Sequence, residues 1–288
     1  MVITDLVRDE IRAHLADHEP ERGGALYGPR DYPFVTHFQF DPDGQTSSVS
    51  YVPSTALIES VIRVERETGL QFKGIIHSHP PGCFQPSSGD EQTVASFFRL
   101  NPHISAMALP IVQPFGQREL RPDADFVRWY RAERKRERVR RMPTLFASRQ
   151  SVFDGAMNEP AVQLQAEEYH VVPLGDHVRR ICSYLAECGH KLDVTRNVQH
   201  LTVQNAELVG LVASADGGRE FMYFVSIGYP VVPPFVLCQK SGETVQLQFK
   251  WNGMSDVSAS LREICDRLLA AWPVMSANAS LGNQSNDA

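Results

Sequence analysis

His77, Ser78, His79 and Pro80, followed by Ser87 and Asp90, are the residues of this chain best suited to chemistry. They read H-S-H, seven residues, S, two residues, D, directly after the apolar stretch Gly74-Ile75-Ile76. Two histidines two positions apart on an extended segment project to the same side, so one ion can touch both. A carboxylate shortly downstream supplies a third ligand, and three N/O ligands leave zinc a fourth position for water. That is a catalytic arrangement, since structural zinc sites close with four protein ligands.

Zinc lowers the pKa of a bound water to about 7. A hydrolase of this kind still needs a general base for the water proton and a donor for the oxyanion. Ser87 carries a hydroxyl able to donate. Glu21, in Glu21-Arg-Gly-Gly-Ala-Leu-Tyr-Gly28 at the mouth of a predicted strand, is the upstream candidate base, although spacing alone does not bring it to the histidines. Each part also has a plainer reading. Ser87-x-x-Asp90 ahead of Val94, Phe97 and Phe98 fits a helix capping box, a role compatible with the first. An isolated H-x-H is common, and Glu21 alone reads as a surface carboxylate. The joint pattern is what points to a metal.

The elements that must position these residues follow from periodicity. Ile3, Leu6, Val7, Ile11 and Leu15 predict an amphipathic helix over 3–16. Strands are predicted at Gly23–Gly28, Phe34–Phe40 and Ser48–Val52, with the turn Asp41-Pro42-Asp43-Gly44 between the last two. A helix through Leu57, Ile58, Val61 and Ile62 stops at Gly69, and a strand at Lys73–Ile76 delivers the histidines. A helix from Glu91 to Leu100 and a strand from Ser105 to Val112 follow. Such alternation builds an α/β layer around one sheet. From Phe126 to Arg141 the sequence predicts a charged helix, with seven Arg or Lys and two Glu between 131 and 141. Weak patterning with Pro143 and Pro160 marks a linker over 142–168.

The composition is that of a globular protein, 42% hydrophobic and 22% charged, and the net charge of −6 offers no general pull toward nucleic acid or membrane. No apolar run approaches the roughly 20 residues of a membrane-spanning helix, and charges throughout Met1–His14 argue against a signal peptide. Five scattered cysteines (Cys83, Cys182, Cys188, Cys238 and Cys265) suggest no disulfide framework, so the cytoplasm is the expected compartment.

Glu21 ahead of Gly-Gly-x-Leu-x-Gly, then His77-Ser-His79-Pro with Ser87 and Asp90 at these spacings, resembles the JAMM (JAB/MPN+) metalloproteases over roughly residues 1–130. The resemblance implies an α/β fold, a cytidine-deaminase-like JAB/MPN core around a mixed sheet. It implies one zinc ion held by His77, His79 and Asp90, with Glu21 as general acid/base and Ser87 stabilising the oxyanion. The activity implied is an isopeptidase or peptidase that cuts after the carboxy-terminal glycine of a ubiquitin-like protein or its conjugates. Trimming of a ubiquitin-like or sulfur-carrier precursor, and a non-catalytic scaffold, are the alternative tasks. Glu19 is a nearby carboxylate outside the matched spacing.

The expected organisation is a metalloprotease domain over 1–141 ending in the charged helix, the linker 142–168, a smaller α+β domain over 169–275, and a disordered tail over 276–288. The third segment has a helix from Leu174 to Cys188, strands near 201–204, 207–213, 220–227 and 244–251, and a helix over 256–272. With the turn Tyr229-Pro230-x-x-Pro233-Pro234 it resembles the ubiquitin-conjugating-enzyme fold or its inactive RWD relatives. It has no His-Pro-Asn stretch, and Cys238 and Cys265 sit at core positions, so it reads as a non-catalytic module for conjugating or activating enzymes of the same pathway. Such a fusion looks bacterial and suggests a ubiquitin-like conjugation pathway serving phage defence.

Other candidates are weaker. Cys182, Cys188 and His190 have poor ligand spacing. The basic run Arg131–Arg141 reads as a solvated helix face, and Cys83 as a bystander in a glycine-containing loop.

Overall fold

The chain opens on a short strand, β1 (Val2–Thr4), that turns directly into helix α1 (Asp5–Ile11) and a widened π turn over Arg12–Ala16. Thr4 caps the helix by accepting a hydrogen bond from the Val7 N–H at 3.3 Å. The helix predicted over 3–16 therefore starts later, and Ile3 belongs to a strand, while Val7, Ile11 and Leu15 form the expected buried face. These coordinates come from a computed structural model, and the structure describes residues 1–16, 21–47, 50–113, 126–135, 160–195, 197–215, 218–240 and 243–272. Contacts divide the chain into two units, Met1–Val171 and Val172–Ala288.

In the first unit come β2 (Gly23–Gly28), β3 (Phe34–Val35), β4 (His37–Phe40) and a hairpin of β5 (Gln45–Ser47) and β6 (Ser50–Val52). Helix α2 (Thr55–Thr68) starts at Ser54, whose Oγ accepts from the Leu57 N–H at 3.0 Å, and ends at Gly69 in the left-handed region (φ 72°). Strand β7 (Gln71–Ser78) and helix α3 (Ser88–Leu100) lead to β8 (Ala106–Ala108) and β9 (Ile111–Val112), separated by Leu109-Pro110. β7 pairs antiparallel with β2 and parallel with both β8 and β9, so the sheet is mixed. At Gly74 the parallel partner comes so close that an added Cβ would lie 1.9 Å from the Ala108 carbonyl oxygen, and no other residue fits.

β7 is buried on both faces, as strands of such sheets are. Ile76 packs with Ile3, Val7, Leu26 and Trp129, whereas its neighbour Ile75 packs with Val94 and Phe98 of α3. His77 and His79 share the parity of Ile75 and so point to the side where α3 lies. That alternation is what delivers the histidines to Asp90.

The charged helix predicted over 126–141 is not formed where it is described. Val127–Arg128 is β10 and Tyr130–Arg134 is β11, paired antiparallel with β9 and β8 respectively. Val127 and Trp129 are buried on either side of exposed Arg128; the parity then shifts, and in β11 Ala132 alone is buried, next to exposed Arg131, so a single small residue hides a strand among charges. Residues 136–141 lie outside the described residues. β12 (Val162–Ala166) pairs with β11, so this part of the predicted linker is sheet, its Val162, Leu164 and Ala166 alternating with glutamines. β13 (His170–Val172) follows, and the His170 N–H donates to the Met1 carbonyl at 3.0 Å. Residues 142–159 and the tail 276–288 also lie outside the described residues.

The second unit has α4 (Leu174–Glu187), β14 (Leu192–Val194), β15 (Gln199–Val203), β16 (Ala206–Ala215), β17 (Arg219–Ser226), β18 (Phe235–Lys240), β19 (Glu243–Gln246) and α5 (Val257–Ala271). Its sheet is antiparallel, in the order β14-β16-β17-β18-β19 with β15 also on β16, an α+β arrangement. The strand predicted over 244–251 ends at Gln246. Leu174, Val178, Ile181 and Leu185 of α4 and Leu261, Ile264 and Leu268 of α5 are fully buried at helical spacing. Cys238 and Cys265 are buried with them.

Candidate metal centre

Asp90 enters the site from the first turn of α3, held there by a reciprocal capping box. Ser87 Oγ accepts from the Asp90 N–H at 3.2 Å, and Asp90 Oδ2 accepts from the Ser87 N–H at 2.6 Å. The box fixes the carboxylate, whose two oxygens then face the histidines. Oδ1 lies 2.9 Å from His77 Nε2 and Oδ2 lies 3.3 Å from His79 Nε2, while the two Nε2 atoms are 2.9 Å apart. Among the described residues this is the one cluster of three side chains able to share an ion.

The arrangement fits zinc. Tetrahedral donors about 2.0–2.1 Å from zinc stand about 3.3 Å from one another, close to the spacing of these three. The His79 ring is also held from behind, its Nδ1 3.1 Å from the Cys83 carbonyl oxygen. A carbonyl can only accept, so that bond keeps a proton on Nδ1; Nε2 then donates to Asp90 while the ring is charged and is the atom left to bind a metal once the ring is neutral. The thiol of Cys83 is exposed; its main chain is what touches the site.

Gln113 holds the turn that presents this carbonyl. Its Oε1 accepts from the Gly82 N–H (3.1 Å) and its Nε2 donates to the Pro80 carbonyl (3.2 Å). Tyr130 donates its hydroxyl to the Phe84 carbonyl at 2.8 Å, tying the same loop to β11. Sequence reasoning missed both residues. A polar Gln after the apolar pair Ile111-Val112 is the only signal that marks Gln113.

Glu21 is buried, two residues ahead of β2. The approach to β2 is stitched to the end of β7: the Arg22 N–H donates to Ser78 Oγ (2.9 Å) and the Ser78 N–H to the Arg22 carbonyl (2.8 Å). Burial raises the Glu21 carboxyl above the ordinary range, the positive His79 partly opposes this and the negative Asp90 adds to it. Burial alone would raise Asp90 too, but hydrogen bonds from His77 and His79, the charge of His77 and the Ser87 N–H hold it well below the usual carboxylate range. Burial pulls His79 down, yet the bond to Asp90 and the charges of Asp90 and Glu21 win, with help from the Cys83 carbonyl, and the ring is raised. Ser87 is exposed; its oxygen accepts from Asp90, leaving its own O–H to donate outward.

Residues 4–120 match the family described as prokaryotic homologs of the JAB domain. The match supports the JAMM/MPN family for this segment. All five predicted site residues lie inside it. The chain is also similar to a solution structure from Desulfitobacterium hafniense, at 15% identity over 60% of this chain and 92% of that one, with a TM-score of 0.40. A crystal structure of a JAB1/MPN domain protein from Archaeoglobus fulgidus is 16% identical over 60% of this chain and 99% of that one, with a TM-score of 0.30. Among curated proteins none matches.

The remaining candidates of the JAB-like unit and of the second unit assemble nothing comparable. Glu19 lies outside the described residues. His190 meets Arg219 through Nδ1 (3.0 Å), and Cys188 is exposed. Arg131 pairs with Glu133 at 2.7 Å, and Arg134 donates to the carbonyls of Phe98, Asn101 and Ile104, so these two cations serve the fold. No helix among the described residues is long and apolar enough to cross a membrane.

Proposed function

We propose that the JAB-like unit is a zinc-dependent isopeptidase or peptidase that cleaves after the carboxy-terminal glycine of a ubiquitin-like protein, within a bacterial ubiquitin-like conjugation pathway. One observation carries this reading: two imidazole Nε2 atoms and a carboxylate converge within 3.3 Å while a second, buried carboxyl, Glu21, lies close enough to feel both His79 and Asp90.

His77, His79 and Asp90 would hold the ion, which when bound supplies Lewis acidity toward a water and toward the scissile carbonyl. Glu21 takes the proton from the attacking water and passes it to the leaving amine. Its raised pKa suits this, because a base closer to neutrality both accepts and returns a proton. The Ser87 hydroxyl donates to the oxygen that gains charge, and the capping box keeps that hydroxyl in place. The substrate tail lies extended, with small residues beside the scissile bond. The second unit recruits the conjugates, or the conjugating or activating enzymes that make them.

The test is cleavage of a ubiquitin-like fusion and of a branched conjugate by metal-loaded protein, with and without chelator, and by Glu21→Ala. Product that disappears in both controls supports the reading, and the preferred substrate separates isopeptidase from precursor processing. Cleavage that survives Glu21→Ala at near wild-type rate removes Glu21 as the base. No cleavage of any substrate by metal-loaded protein removes the hydrolase reading in favour of a scaffold.

A further inference from the structure

We infer that Tyr51, on the β5–β6 hairpin, is a positioning residue for the metal ligand His77, an inference that rests on the metal reading above. The Tyr51 ring is buried and lies nearly parallel to the His77 imidazole, with centroids 6.1 Å apart and planes 20° from parallel. This is within the range over which aromatic rings attract and orient one another.

The register explains how the two rings meet. Gly23 on β2 is the direct cross-strand partner of His77 on β7, so a side chain at 23 would project to the same face as the imidazole. Gly23 has none, and the Tyr51 ring occupies that space. A Cβ at Gly23 would stand 2.3 Å from Tyr51 Cε1 and 2.4 Å from Cζ. The opposite edge of the ring is closed by Gly44, where a Cβ would stand 2.6 Å from Tyr51 Cε2. The hydroxyl is fixed as well: it donates to Asp41 Oδ2 at 2.8 Å.

Asp41 is itself over-determined. Its Oδ1 accepts from Ser54 Oγ (2.6 Å), its Oδ2 also accepts from the Ser54 N–H (2.8 Å), and its own N–H donates to the Gly23 carbonyl (3.0 Å). A carboxylate fixed by the N-cap of α2 thus pins a phenol, and the phenol limits the tilt of His77. The same hairpin reaches Glu21, whose N–H donates to the Ser47 carbonyl at 3.2 Å. His79 is oriented through the Cys83 carbonyl; His77 is oriented through a ring.

The experiment titrates Co²⁺ into the full-length wild-type protein, Tyr51→Leu, Tyr51→Phe and Gly44→Ala, reading affinity and the visible absorption bands that report coordination geometry. Metal-free thermal unfolding is followed in parallel. Tyr51→Leu is expected to weaken Co²⁺ binding by about 10–100-fold, as loss of an outer partner of a ligand does, and to shift the bands. Tyr51→Phe restores affinity to within about threefold, because the ring remains between Gly23 and Gly44 even without its bond to Asp41. A merely structural Tyr51 lowers metal-free stability and leaves affinity and spectrum alone, and that result overturns the inference. Should Tyr51→Leu not fold, Gly44→Ala decides: it displaces a ring that is still present, and an unchanged spectrum overturns the inference. Wild-type protein that takes up no cobalt overturns the metal reading and this inference together, whereas wild-type uptake with unaltered variants overturns this inference alone.

Discussion

Asp90 does two jobs with one carboxylate. Oδ2 closes the capping box and faces His79, while Oδ1 faces His77. Asp90→Asn keeps an oxygen for the Ser87 N–H but removes the charge. Metal affinity is therefore expected to fall at least tenfold, and metal-free thermal unfolding to move to lower temperature as well, because the charge that His77 and His79 stabilise is gone; equilibrium dialysis with zinc, set beside calorimetry, checks this. Glu21→Gln should separate chemistry from binding in the opposite sense. It keeps the shape of the side chain and leaves zinc stoichiometry at one per chain, yet lowers kcat by about 10²–10⁴, the usual worth of a positioned base. Loss of zinc from this variant would move Glu21 from proton transfer to coordination. Asp90 was legible in the sequence because its chemistry is carried by a short spacing from the histidines, whereas Glu21, far from them in sequence, was legible only through the family resemblance. Asp41, Tyr51 and Gln113 were not, because nothing nearby in sequence says what they touch: Gln113 finds Gly82 31 positions away.

At the scale of elements, the site depends on the parity of β7 and on the start of α3. The sequence showed a strand ahead of the histidines and a helix after Asp90, and both exist, with the helix beginning earlier, at Ser88. Periodicity failed at Tyr130–Arg134, where charge density outweighs an alternation carried by a single buried alanine and partner strands β8 and β12 decide the outcome. It failed also at 3–16, where a threonine cap starts the helix after the first apolar residue. Because Ser87 is the N-cap of α3, Ser87→Ala is expected to cost about 1 kcal/mol of stability in the metal-free protein, and Ser87→Thr to recover most of it. Chemical denaturation measures the first effect. If Ser87 also donates to the oxyanion, cleavage by Ser87→Ala drops by far more than this loss of folded protein accounts for.

At the scale of the whole molecule the two units answer to different solution conditions. The first is expected to respond to metal through His77, His79 and Asp90, and the second to respond to acid through His177. That imidazole is buried in α4, its Nδ1 2.9 Å from the Tyr223 hydroxyl and its Nε2 3.3 Å from that of Tyr229. Burial, opposed by Asp176 and aided by Arg180, pushes its pKa down to about 4 from an ordinary value of 6.5. Between these values the unfolded chain holds a proton that the folded chain does not. The contribution of neutral His177 is then complete above pH 6.5, declines as the pH falls toward 4, and has no further slope below that. From pH 7 to pH 5 the decline is about 2 kcal/mol, so amide protection in α4 and β17, corrected for intrinsic exchange, should drop roughly twentyfold. His177→Gln cannot titrate and should reduce this dependence to the part that His200, also lowered by burial, contributes, while leaving cobalt binding in the first unit unchanged. Equal protection of the wild type at both pH values would show that the cluster around His177 accommodates the charge. The pattern of α4 places a histidine among apolar residues, and so the burial was legible; the two tyrosines that receive its nitrogens come from β17 and from the turn after it, and only the folded sheet brings them there.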